Sequence, residues 1–175
     1  LLKVAYNYEE RGMRTALYNS HLDSRYGKDT IASRTGIHKN ANSFNSETNF
    51  LEHFRTNYFD RDIRIGCVLL DEAQFLSKAQ VAQLRDVVHQ FNVPVICYGL
   101  RTDFRGDLFE GSQWLLAWAD SIEELKTICW CGRKATMNAR LVNGRVVKDG
   151  DQIQIGGNES YIALCPKHFL EGKAS

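Results

Sequence analysis

Short apolar runs alternate with amphipathic stretches along the first two thirds of the chain. Thr15-Ala16-Leu17-Tyr18 reads as a short strand. Residues 63–70 contain a second, ending in Cys67-Val68-Leu69-Leu70, and residues 93–99 form a third around Val95-Ile96-Cys97. Between and beyond them, Phe50, Leu51, Phe54 and Tyr58 recur at helical spacing, as do Val81, Leu84, Val88 and Phe91, and then Trp114, Trp118, Ile122 and Leu125. Leu1, Val4, Ala5 and Tyr8 share one helical face, with Gly12 placed as the residue that ends that helix. Residues 20–46 are rich in Ser, Asn, Gly and charge, lack periodicity, and predict a long loop. Strands alternating with helices predict an α/β fold: a parallel sheet with helices on its faces.

The pattern changes after Leu125. Cys129-Trp130-Cys131 leads into an apolar stretch over 135–147 broken by Asn143-Gly144, a strong hairpin signal. Ile153-Gln154-Ile155 alternates, Gly156-Gly157-Asn158 interrupts, and Tyr161-Ile162-Ala163-Leu164 reads as a strand entering Cys165-Pro166-Lys167-His168. Two domains are expected, 1–126 and a small β-rich module at 127–175.

Composition narrows the classes. At 175 residues with 43% hydrophobic and 25% charged side chains, the chain has the make-up of an ordinary globular protein. A formal charge of +1 offers no global attraction for nucleic acid or an anionic membrane. No apolar run approaches a membrane span, and the first ten residues are too polar for a secretory leader. A reducing, cytoplasmic setting is expected, so the five cysteines are not read as a disulfide framework. The chain opens on Leu1, inside a helical pattern and without an N-cap, and is expected to be an incomplete record of a longer protein.

Candidate chemistry begins at Asp71-Glu72. Two carboxylates at the end of a buried parallel strand lie where α/β sheets bind ligands, and nucleotide-binding proteins hold a metal-binding acid and a base there. The same pair also suits a plain strand cap. Cys129-x-Cys131 with Cys165-x-x-His168 supplies the four ligands of a structural zinc, against the alternative of two incidental cysteine clusters. Cys67 and Cys97 read as core residues. His21, His38, His53 and His89 read as surface or packing histidines. Asp23-Ser24-Arg25 follows the first strand, as a ligand-edge pair or a solvated turn. Residues 101–109 mix Arg, Asp and Phe, suiting either a pocket for a flat, charged molecule or an ordinary connection.

In order, LLDEAQF, CYGLRTDFRGDLF, LKTICWCGRKA and IGGNESYIALCPKH, with YNYEERGMR and LDSRYG near the start, resemble the zinc-containing thymidine kinases of the cellular and bacterial type. The resemblance spans essentially the whole chain. It implies a RecA-like P-loop sheet flanked by helices, a small zinc-stapled β-rich domain, and transfer of the ATP γ-phosphoryl group to the 5′-hydroxyl of thymidine with Mg²⁺. It implies a homo-oligomer, dimer or tetramer, with no nucleic-acid or membrane partner. By the same resemblance Glu72 is the general base and Asp71 the Mg²⁺ acid. Ala73, Gln74, Asp23 and Arg25 join them on the ATP and metal side. Phe75, Leu100, Phe104, Phe109, Ile153, Ile155, Gly156 and Tyr161 surround the thymidine. Cys129, Cys131, Cys165 and His168 match the zinc ligands, the tight C-x-C spacing included. One departure stands out: the family's phosphate loop, of Gly-x-x-x-x-Gly-Lys-Ser/Thr form, occurs nowhere in the 175 residues. Two alternatives compete with this reading: a nucleic-acid-dependent ATPase, since Asp-Glu-Ala-Gln is similar to a helicase motif, and a non-catalytic zinc-binding module.

Overall fold

The structure, a computed structural model, describes residues 1–23, 29–33, 36–154 and 160–175. Arg25, Ile155 and Gly156 lie outside the described residues. The chain divides into two units, one of Leu1–Leu100 with Glu110–Leu115, the other of Arg101–Phe109 with Leu116–Ser175.

The first unit opens with α1 (Leu2–Glu9) and continues through β1 (Arg14–Ser20), β2 (Thr30–Ala32), β3 (His38–Asn40) and β4 (Asn42–Phe44). Then come α2 (Phe50–Asn57), β5 (Ile65–Leu70), α3 (Lys78–Phe91), β6 (Val95–Cys97) and the start of α4 (Glu110–Trp118). The main sheet has the order β4-β1-β5-β6, and every neighbouring pair is parallel. The expected α/β architecture is therefore present.

Side-chain alternation in the central strands feeds two apolar layers. Leu17, Cys67 and Leu69 face one way and cluster with Ala5, Ile31 and Ala41, flanked by Leu1, Leu2, Val4 and Tyr8 of the first helical face. Tyr18 faces the other way, edge-on to Phe50 at 5.3 Å and to the His53 ring at 5.5 Å. α3 begins with a reciprocal capping box between Ser77 and Gln80 and ends at Asn92 in the left-handed region. Phe91 at its end packs on Phe54 of α2 at 5.1 Å.

Two expectations need correction. The stretch 20–46 is not simply a loop: β2 and β3 pair as an antiparallel hairpin, and β4 joins the main sheet beside β1. Its polar residues masked the strands because Asn42 bonds back to the Leu17 carbonyl and to the Tyr58 hydroxyl, a tertiary role that periodicity does not register. The last amphipathic pattern stops at Trp118, leaving Ile122 and Leu125 61% and 68% exposed rather than on a helix face. The expected helix over Val81, Leu84, Val88 and Phe91 is present as α3, which buries Val81, Leu84 and Val87 and partly covers Val88.

The second unit contains β7 (Thr127–Ile128), β8 (Lys134–Ala135), β9 (Met137–Val142), β10 (Arg145–Val147), β11 (Tyr161–Leu164) and α5 (Pro166–Glu171). β9 is central in an antiparallel sheet of order β10-β9-β11. Asn143 and Gly144 form its hairpin turn with φ of 50° and 75°, the paired positive values of a type I′ turn. Ile153-Gln154 is not a strand. Among the described residues no helix is long and apolar enough to cross a membrane.

Candidate functional site

β5 delivers Asp71 and Glu72 to the carboxyl edge of the parallel sheet, between the ends of β1 and β6. The Asp71 N–H donates to the Tyr18 carbonyl at 2.9 Å, and the Ala73 N–H to the Tyr98 carbonyl at 2.8 Å. The chain turns sharply between these anchors. Glu72 adopts φ 53° and ψ 38°, left-handed and costly for a residue with a Cβ. Its N–H is held by the Asp71 carboxylate at 3.0 Å. A single 3-10 turn over Ala73–Phe75 follows.

Gln74 locks this turn. It is 3% exposed, donates from its side-chain nitrogen to the Glu72 carboxylate at 2.5 Å, and accepts the Leu100 N–H at 3.1 Å. Close backbone approach makes this possible. A Cβ on Gly99 would lie 2.7 Å from the Gln74 side-chain oxygen, and one on Gly111 would lie 2.5 Å from the Ala73 carbonyl oxygen. The first turn of α4 closes the cluster, with the Ser112 hydroxyl donating to the Leu100 carbonyl at 2.6 Å and the Glu110 carboxylate accepting the Lys78 N–H at 2.9 Å. Asp23 follows β1 at the same edge, its N–H donating to the Ser20 carbonyl at 2.9 Å. Asp71, Glu72 and Phe75 are partly exposed there, and Leu100 is exposed.

The second unit holds the remaining described residues. Phe104 and Phe109 are buried, Tyr161 is partly exposed, and Ile153 is 44% exposed. The Asp103 carboxylate, its side chain fully covered, accepts from the Arg105 guanidinium at 2.9 Å, the Arg105 and Asp107 N–H groups, and the Gln152 side chain at 3.1 Å. Burial pushes that carboxyl up, but these donors together hold it below its ordinary value. Arg140, 3% exposed, stacks its guanidinium 3.7 Å from the Phe104 ring centre and donates to the Tyr161 hydroxyl at 3.0 Å. Sequence reasoning missed Asp103, Arg140 and Gln152 as structural partners. The strand register sets Tyr161 opposite Arg140, and tertiary hydrogen bonds bring Gln152 to Asp103.

The third group is a candidate metal cluster. The ligand atoms of Cys129, Cys131, Cys165 and His168 all lie within 4.8 Å of one another. Cys129 Sγ is 3.5 Å from His168 Nδ1, and Cys131 Sγ is 3.9 Å from Cys165 Sγ. A tetrahedral zinc with bonds of about 2.3 Å to sulfur sets ligand edges near ~3.8 Å, so the donor set fits that ion. Burial raises the Cys129 thiol, yet the N–H groups of Cys131 and Cys165, the His168 ring and the Cys131 thiol outweigh it and bring it down to about 6. A thiolate so stabilised is ready to ligate a cation. The short C-x-C step works because the chain doubles back at once, the Gly132 N–H donating to the Cys129 carbonyl at 2.8 Å. Trp130 lies flat on His168, ring centres 4.2 Å apart, and fixes the imidazole plane.

Paired acids on the open edge of a parallel sheet, within one chain that also carries a Cys/His cluster fitting zinc, define an α/β protein with a candidate ligand edge and a candidate metal staple. The sequence comparisons narrow that class. A family model described as "Thymidine kinase" matches residues 1–169. The chain is 56% identical over 172 residues to the thymidine kinase of Mannheimia succiniciproducens, spanning 98% of this chain and 87% of that protein. It is 54% identical over 172 residues to that of Haemophilus influenzae strain Rd, and 53% to that of Shewanella oneidensis, each alignment spanning 98% of this chain and 88% of the relative. The chain belongs to the thymidine kinase family.

Proposed function

We propose that this protein transfers the γ-phosphoryl group of ATP to the 5′-hydroxyl of thymidine, yielding thymidine 5′-monophosphate in nucleotide salvage. The observation that carries the reading is the Asp71–Glu72 pair at the sheet's carboxyl edge in a chain that matches this family along nearly its whole length.

Glu72 is the general base. Its carboxylate takes the 5′-hydroxyl proton as the new oxygen–phosphorus bond forms and the bond to the ADP leaving group breaks. Gln74 and the Asp71-anchored backbone hold that carboxylate in one orientation. Asp71, with Asp23 and Arg25, belongs to the metal and phosphate side, and carboxylate oxygens are the hard donors that Mg²⁺ takes. When bound, Mg²⁺ neutralises charge on the ATP phosphates. Ala73 supplies backbone to the same side. By the family resemblance, Phe75, Leu100, Phe104 and Phe109 are assigned to the thymine base, and the segment from Ile153 through Ile155 and Gly156 to Tyr161 is assigned to covering it. Functionally the kinase core is drawn as 1–126 and the zinc-held module as 127–175, a division that differs from the two compact units, where Arg101–Phe109 and residues 116–126 group with the module.

The protein acts as a cytoplasmic homo-oligomer without a nucleic-acid partner. Ile122, Leu125, Ile128 and Trp130, between 49% and 72% exposed, support an association surface.

The test is direct. Full-length protein incubated with thymidine, ATP and Mg²⁺ forms thymidine monophosphate and ADP in equal amounts, read by chromatography. ATP hydrolysis that needs DNA or RNA, with no nucleotide product from thymidine, would overturn the proposal.

A further inference from the structure

Arg140 is the one charged residue of the second unit that is described both as almost wholly buried and as pairing with no carboxylate among the described residues. Burying a guanidinium without a counter-ion is costly unless its N–H groups and its flat face are otherwise satisfied. Here Nε, Nη2 and the flat face are engaged, and among the described residues the hydrogen-bond acceptors, Gln152 and Tyr161, flank one short segment. Nε and Nη2 donate to the Tyr161 hydroxyl at 3.2 and 3.0 Å, and Nη2 reaches the Gln152 carbonyl at 3.4 Å. The Tyr161 hydroxyl, accepting from the guanidinium, donates onward to the Gln154 carbonyl at 2.7 Å. The plane lies over Phe104, a cation–π contact in a desolvated setting. The Gln152 side chain meanwhile reaches Asp103, the neighbour of Phe104.

We infer that Arg140 is the positioning residue for the thymidine-covering segment: one guanidinium pins both ends of that segment, Gln152–Gln154 at its start and Tyr161 at its end, to β9 and to Phe104. The inference rests on the proposed role of residues 153–161 in covering thymidine. Arg140 does not itself touch the substrate in this scheme. It acts through backbone carbonyls and one phenol, and so sets how the covering segment enters and leaves. Charge alone does not suffice. A lysine ammonium is a point donor and cannot bridge Tyr161 and Gln152 while lying flat on a ring.

The test uses the full-length enzyme and the variants Arg140→Met, Arg140→Lys and Tyr161→Phe. Arg140→Met keeps an unbranched apolar side chain beside Phe104 and removes the donors and the charge. The KM for thymidine is expected to rise by about tenfold or more, with the KM for ATP within about twofold of the parent. Arg140→Lys falls between. The double variant Arg140→Met/Tyr161→Phe is expected to be little worse than the poorer single one, because both break the same link. Amide exchange at Gln152–Gln154 is expected to speed up in Arg140→Met while metal content stays stoichiometric, which separates a loosened segment from an unfolded module. Parent-like thymidine KM together with parent-like exchange at 152–154 would overturn the inference. If the parent protein leaves thymidine unphosphorylated, the proposed function fails instead. The exchange experiment still decides whether Arg140 holds the segment.

Discussion

Gln74 and Glu72 are joined by a single short hydrogen bond, the Gln74 amide donating to the Glu72 carboxylate at 2.5 Å while the other end of the same amide accepts the Leu100 N–H. One buried side chain thus couples the acid after β5 to the connection after β6. The same turn holds Glu72 in the left-handed region, with φ 53° and ψ 38°.

Glu72→Gln preserves size and removes the base. Thymidine phosphorylation is expected to fall by roughly 10²- to 10⁴-fold with unchanged circular dichroism and zinc content. Near-parent turnover would remove Glu72 from the base role.

Gln74→Ala leaves Glu72 in place but unguided. The expected loss is on the order of tenfold to a hundredfold in kcat, with a smaller change in either KM. A fall in both KM and stability without a kcat effect would make Gln74 purely structural.

Gly111→Ala places a methyl 2.5 Å from the Ala73 carbonyl oxygen, 2.8 Å from that of Leu76 and 2.9 Å from that of Gln74. Backbone, not a flexible side chain, has to move. Thermal denaturation should show a loss of about 2 kcal/mol, and activity should drop with it because the displaced turn carries Glu72. Unaltered melting would mean that α4 tolerates a shift away from the turn.

Cys131→Ala removes one of four clustered donors. Bound zinc, measured by mass spectrometry, is expected to fall below stoichiometry, and a strong chelator should release what remains faster than from the parent. Stoichiometric zinc in the variant would show that the ligand set is wrong.

Asp103 has a folded-state pKa held below its ordinary value of 3.8 by Gln152, Arg105 and Asp107 against the upward push of burial. The unfolded chain therefore binds this proton first as pH falls. The stabilisation is fully present above 3.8 and is lost as pH drops through the lower folded value. Melting temperature followed from pH 6 downward should decline less steeply over that acidic range in Asp103→Asn, from a lower starting point. Parallel curves would remove Asp103 as a source of acid sensitivity.

By itself the sequence determined those features that depend on neighbours along the chain. Apolar runs around Leu17, Leu69 and Ile96 specified the strands of a parallel sheet, because buried strands need continuous apolar side chains and the intervening helices need a periodic face. Asn143-Gly144 specified its hairpin turn through its preference for positive φ. The C-x-C and C-x-x-H pairs marked the metal cluster because each pair is held by local chain geometry. Tertiary structure alone decided the rest. The strand at Asn42–Phe44 is polar in composition and exists only because β1 offers it an edge and Tyr58 a partner. The pattern over Ile122 and Leu125 has helical spacing but no surface within its unit to cover it, and periodicity without burial does not sustain a helix. Gln74 read as one member of an acidic motif, and Arg140 as one more strand residue. Their partners, Leu100 for the first and Gln152, Phe104 and Tyr161 for the second, lie 12 to 36 positions away in sequence, and only the folded register brings them within hydrogen-bonding or stacking distance.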